Sequence, residues 1–222
     1  MSHNVHPYAH RLVTLRDWKS RWFAGNKKNY TELLRADILI REYLEKKLRS
    51  AYVADIEIER SRKATRIIIH TSRPGMVIGR QGEGAKKIRQ DLLTFMKKNN
   101  INTAEDFRID IAEVANPDAN AKIVSHMIVE ALEKRMPFRR VLKQTLDKVM
   151  AVRGVKGAKI SLSGRLGGAE MSRKEELKKG GVPLQFIRGD IDYATNTARL
   201  SYGGIGIKVW IYKGDSLEQG QK

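Results

Sequence analysis

The chain has 222 residues, is 41% hydrophobic and carries 43 Lys and Arg against 25 Asp and Glu, for a net charge of +18 and a pI near 10.1. That length allows one large or two small domains, and the apolar fraction supports real cores rather than a disordered basic tail. So basic a chain calls for a polyanion, nucleic acid before an anionic membrane; no apolar run approaches the ~18 residues of a spanning helix, and the absence of cysteine excludes disulfides and thiolate metal sites.

Residues 1–16 read as an extended arm without a secretory h-region. His3, His6 and His10 cluster there, and a solvated arm explains them better than a metal site. Residues 17–28, DWKSRWFAGNKK, interleave Trp18, Trp22 and Phe23 with Lys19, Arg21, Lys27 and Lys28. Such a mixture either stacks on bases while its cations meet phosphates, or forms a small core that anchors the arm. A first helix is expected from Asn29 or Thr31 to about Ser50. Asn29 and Glu32 have capping-box spacing, and Leu34, Ile38 and Leu48 mark its apolar side. Residues 54–60 alternate Ile56 and Ile58 with acids, as a half-buried strand does. Residues 65–71 form a more buried second strand ending near His70, for which the sequence offers no partner.

Residues 73–98 carry the most informative pattern. Pro74 suits the first position of a short helix. The apolar run Met76-Val77-Ile78 ends at Gly79; Arg80 and Gln81 come next, and Gly82 closes a G-x-x-G loop. A helical pattern then places Ala85, Ile88, Leu92, Phe95 and Met96 on one face. Two glycines let a phosphate backbone approach the main chain, the next helix offers unpaired N–H groups, and Arg80 and Lys86 add cations. This is the physics of a K-homology (KH) loop. Residues 106–112 alternate as a third strand. Helix, two strands, two helices flanking G-x-x-G, strand: that order is the type II arrangement of the KH fold.

Asn116-Pro117 marks a boundary, where Asn116 can cap the next helix. Ile123, Val124, Met127, Ile128, Ala131 and Leu132 predict that helix to about Arg135, and Pro137 begins another with Phe138, Val141, Thr145, Val149 and Val152 on its buried face. Strands are expected at 159–163, 182–188, 190–202 and 205–213. The reading is therefore α+β: an arm (1–16), a type II KH domain (17–113), a C-terminal domain of two helices on a mainly antiparallel sheet (114–213) and a short polar tail (214–222).

A second basic site lies in this half. From Lys134 to Arg165 there are ten basic residues and one acid, Asp147. Arg139 and Lys143 are spaced i, i+4, and Arg140 and Lys143 i, i+3, so the three share a face away from Phe138, Val141 and Val149. Like charges at that spacing destabilise a free helix by a few tenths of a kcal/mol each, which phosphates opposite them would offset. The glycine-rich loop SGRLGGAEMSR at 163–173 carries Arg165 but lacks the Lys-Ser/Thr ending of a P-loop. No nucleophile elbow or paired acids in an apolar setting are seen, and Glu57 with Glu59, or Asp190 with Asp192, are expected to face solvent or a basic partner. An enzyme reading, such as a nuclease, has no positive support.

DWKSRWFA at 17–24, RPGMVIGRQGE at 73–83, PFRRVLKQ at 137–144, SGRLGGAEMSR at 163–173 and IDYATNTARLSYGGIGIKVWIYKG at 191–214 resemble the bacterial-type family of small-subunit ribosomal protein three, in that family's order and over nearly the whole chain. The resemblance implies a type II KH domain followed by an α+β domain, and a cytoplasmic seat on the small-subunit head. Small-subunit ribosomal RNA, messenger RNA and small-subunit proteins ten and fourteen are the implied partners, with no cofactor. Implied contacts with ribosomal RNA fall on Gly79, Arg80, Gln81, Gly82 and Lys86, and on Lys19, Arg21 and Arg165. The family's cations lining the messenger entrance match Arg139, Arg140 and Lys143. Departures fall at Ala9, where glycine is more usual, and at Ala85, where a larger apolar residue is common. Gly84 is expected to loosen the start of its helix, since glycine costs ~1 kcal/mol there relative to alanine. The competing reading is a free KH-type RNA-binding regulator, which would not need SGRLGGAEMSR or the IDYATNT strand.

Overall fold

The computed structural model describes residues 6–61, 64–101 and 106–215. The chain divides into two units, residues 18–115 and residues 1–17 with 116–222. Among the described residues no helix is long and apolar enough to cross a membrane.

Residues 6–17 thus fold with the C-terminal half. The arm is not extended: α1 (Pro7–His10) is a short helix capped by the His6 side chain, which accepts from the Ala9 N–H. Arg11 then buries its guanidinium completely. It donates to the carbonyls of Pro7 at 3.0 Å and Phe186 at 2.7 Å, and also to those of Gly189 and Leu184. A buried cation needs such partners, and their supply folds the arm. His3 and residues 216–222 of the expected tail lie outside the described residues.

In the unit of residues 18–115, a two-residue strand β1 (Ser20–Arg21) precedes α2 (Lys27–Lys47), β2 (Val53–Arg60), β3 (Ala64–Thr71), α3 (Pro74–Ile78), α4 (Glu83–Lys98) and β4 (Asp106–Glu113). This is the type II KH order. The sheet runs β1-β2-β3-β4. β2 and β3 are antiparallel, pairing Ile58 with Ile67, whereas β1 joins β2 and β4 joins β3 in parallel. Ile40, Leu44, Ile56, Ile58, Ile67, Ile69, Leu92, Met96 and Phe107 form the core. The face of α2 differs from expectation: Ala36, Ile40, Leu44 and Leu48 are buried, while Leu34 and Ile38 are exposed. The helix also starts earlier, with Asn26 at the N-cap and Asn29 inside the first turn.

The other unit continues with α5 (Ala121–Glu133), α6 (Phe138–Ala151), β5 (Gly157–Gly164), β6 (Arg173–Gly180), β7 (Gly189–Leu200) and β8 (Gly203–Asp215). Its sheet is antiparallel throughout, in the order β6-β5-β8-β7. Ile128, Leu132, Val141, Leu142, Leu146, Ile160, Leu162, Ile207 and Val209 fill the core between helices and sheet. The cap of α5 is Asn120, not Asn116: its side chain accepts from the Lys122 and Ile123 N–H groups at 3.0 and 3.3 Å, after a 3-10 turn at Pro117–Ala119. Residues 182–188 are not a strand. That segment is irregular, with Phe186 and Ile187 exposed. One edge of the sheet is instead the charged RKEELKKG of β6.

Candidate nucleic-acid interface

In the unit of residues 18–115, the chain leaves α3 at Ile78 and turns through Gly79, Arg80, Gln81 and Gly82 into α4. Gly79 and Gly82 take φ of 70° and 79°, and Gln81 takes 52°. Only glycine adopts the left-handed region freely. A Cβ on Gly84 would lie 2.6 Å from the Val77 carbonyl oxygen and 2.9 Å from that of Ile78. Gly84 is therefore a point of close approach between α3 and α4. It fixes the loop geometry instead of loosening it.

Arg80, Gln81 and Lys86 are exposed. Gly82, the N-cap of α4, supplies no side-chain bond; the Glu83 N–H donates to the Arg80 carbonyl, and the rest of the first turn has no side-chain cap. Glycine backbone, orphan donors and two cations form a surface that can hold a phosphodiester by its oxygens.

Lys19 and Arg21 are engaged differently. Lys19 is ion-paired with Asp55, and Arg21 lies 3.5 Å from Glu57 and 3.2 Å from Glu59. Their charges are matched by acids of β2, which helps hold β1 in register. Glu57 also faces His70 at 3.5 Å, so that histidine has a neighbour after all. Trp22 is an anchor, its Nε1 donating to Asp37 at 2.7 Å, whereas Trp18 and Phe23 are exposed.

Asp37 is the residue sequence reading missed. It is 2% exposed. One oxygen accepts from Ser20 and Trp22, and the other from both Nε and Nη2 of Arg60, at 3.0 and 2.7 Å. These bonds tie β1 and β2 to α2. No motif announces it; an acid directly beside the apolar i, i+4 row Ala36, Ile40, Leu44 and Leu48 is the available signal.

In the second unit, α6 buries Val141, Leu142, Leu146 and Val149 and leaves Arg139, Arg140 and Lys143 exposed. Pro137 stands at its N-cap, one position earlier than expected. The Arg139 side chain is 77% exposed, and its Nε lies 3.7 Å from Glu175. Such a surface pair contributes ~0–1 kcal/mol, leaving the guanidinium open to a better anion. Arg165 spends donors on the fold: Nε donates to the Ala169 carbonyl at 2.9 Å and Nη1 to that of Tyr202 at 3.3 Å. It holds the glycine loop, in which Gly167 and Gly168 have φ of 68° and 83°, against the end of β7.

The acidic pairs face cations of this chain. Asp190 and Asp192 meet Arg16 at 2.8 and 3.7 Å, and Asp192 also accepts from the Ala121 N–H at 2.9 Å. Burial opposes the Arg16 charge, but Asp192 and Asp190 outweigh it and hold its pKa above the ordinary value. Among the described residues no group of three or more His, Cys, Asp or Glu is arranged to hold a metal.

Comparison with known proteins matches both halves. A family model described as the KH domain matches residues 39–119. One described as the C-terminal domain of ribosomal protein S3 matches residues 128–211. Small ribosomal subunit protein uS3 of Clostridium acetobutylicum is 43% identical over 217 residues, covering 98% of this chain and 94% of that protein. The uS3 proteins of Hydrogenovibrio crunogenus (44% over 219 residues, 99% and 92% covered) and Pseudomonas paraeruginosa (45% over 217 residues, 98% and 91% covered) are similar to it over the same span.

Proposed function

Since the chain belongs to the uS3 family of small ribosomal subunit proteins, a structural and RNA-binding constituent rather than an enzyme, we propose that it sits on the subunit head and that its α6 lines the channel through which messenger enters. The observation that carries this reading is the exposed row of Arg139, Arg140 and Lys143 opposite the buried face of α6. Three cations on one rigid helical face form a ratchet-like contact for a single strand's phosphates. They bind backbone, so they are indifferent to sequence. The protein hydrolyses nothing; translocation supplies the energy, and the cations favour the opened strand as base pairs part. The KH loop, with Gly79, Arg80, Gln81, Gly82 and Lys86, takes ribosomal RNA backbone, and small-subunit proteins ten and fourteen are the protein neighbours.

Changing Arg139, Arg140 and Lys143 together to Ala leaves subunit assembly largely intact. It slows translation of hairpin-containing messenger more than of unstructured messenger, measured in a reconstituted translation system. Equal slowing of both contradicts the reading. The salt slope for single-stranded RNA falls by ~2, from about 0.7 per phosphate contact.

A further inference from the structure

A cavity of about 210 Å³ lies where the turn between α5 and α6 meets the glycine loop and the start of β8. Leu132, Met136, Pro137, Phe138, Tyr202 and Ile205 form its apolar wall, with Arg135 and Gly167 beside them. Leu132 and Ile205 belong to the core, while Arg135 and Met136 are exposed. The cavity thus runs from the core to an open, cationic margin.

Two more guanidiniums lie by its Phe138 wall. Those of Arg139 and Arg173 lie 5.7 and 5.6 Å from the centroid of the Phe138 ring. Arg165 holds Tyr202 in place through its carbonyl. Arg135 has φ of 60°, a conformation in which glycine or asparagine is usual, so the turn keeps a cation where a glycine would be easier. Gly167 leaves space beside Phe138: a Cβ there would sit 3.8 Å from the ring's Cε1.

We propose that this cavity accepts one unstacked nucleobase of single-stranded RNA, with the flanking phosphates on the arginines at its margin. Aromatic walls offer a stacking surface that any base satisfies, and the surrounding guanidiniums meet the phosphates. A partner protein's apolar side chain would use the wall but not the charge. The volume is below the roughly 300–1,000 Å³ of sites for drug-sized ligands, which suits a single base. The proposal rests on α6 gripping messenger backbone: Phe138 directly precedes Arg139 and Arg140, so a strand on those cations brings a base to the cavity.

The test uses the full chain and a short single-stranded oligonucleotide carrying 2-aminopurine, beside a length-matched strand lacking all bases. Gly167→Asn tolerates the left-handed backbone and fills the space beside Phe138; Tyr202→Ala removes a stacking surface. Binding to the wild type quenches 2-aminopurine. Each variant weakens binding of the base-bearing strand by roughly 5- to 150-fold, the effect of losing one stacked base, yet binds the abasic strand as the wild type does. If both variants bind the base-bearing strand with wild-type affinity and quenching, the cavity proposal is overturned while the α6 reading stands. If instead Arg139, Arg140 and Lys143 changed to Ala bind both strands undiminished, the α6 reading fails and this one with it.

Discussion

Single residues decide which of two plausible patterns the chain adopts. In α2, Leu34 and Ile38 and the row Ala36, Ile40, Leu44 and Leu48 both repeat at helical spacing, and apolarity alone does not choose between them. The buried row wins because Asp37, beside it, completes its bonds with Ser20, Trp22 and Arg60. Changing Asp37 to Ala strands the buried Arg60 guanidinium and costs ~3–5 kcal/mol of stability; a loss below about 1 kcal/mol in urea denaturation of the full chain contradicts that role. Gly84 is a second case. Helix propensity alone predicts a gain of ~1 kcal/mol for Gly84→Ala, but the added Cβ would lie 2.6 Å from the Val77 carbonyl oxygen. The same measurement should show a loss of ~1–3 kcal/mol, and stabilisation would mean that α3 and α4 separate freely.

Elements were legible where apolar periodicity is strong and opaque where it is absent. The strands β2, β3, β7 and β8 and the helices α4, α5 and α6 announce themselves by spacing, and the loop at Gly79–Gly82 by its glycines. β6 does not, because an edge strand rich in Lys and Glu has no apolar rhythm, and its charges deter pairing with another chain's edge. Residues 182–188 show the converse: their apolar character suggests a strand, yet Pro183 disfavours a central ladder position, and their carbonyls serve Arg11 instead. The buried contacts of Arg11 join residues more than 170 positions apart, a separation no local pattern encodes. For the loop, Arg80 and Gln81 both changed to Asp place negative charge against phosphate. The full chain should keep its circular dichroism spectrum and melting temperature while its affinity for ribosomal RNA fragments falls severalfold; unchanged affinity would mean that the loop meets protein or solvent.

The whole molecule is a polycation whose acids are largely spent on its own fold. Asp37, Asp55, Glu57, Glu59, Asp190 and Asp192 all face Arg or Lys side chains of this chain, which leaves the excess of +18 on the surface. Of the candidate RNA contacts, Lys19 and Arg21 take part in that internal matching and Arg165 donates to backbone carbonyls, while Arg80, Lys86, Arg139, Arg140 and Lys143 stand exposed; the sequence shows a cation but not the partner that folding brings beside it. RNA of the small subunit is expected to neutralise this surface over many contacts at once. Sedimentation of native lysate on gradients at moderate and high salt, probed for this chain, tests it most directly. The chain is expected to stay in the small-subunit peak at both, since a few loose electrostatic contacts would be stripped as salt rises. Release to the top of the gradient would contradict it and favour a free RNA-binding regulator.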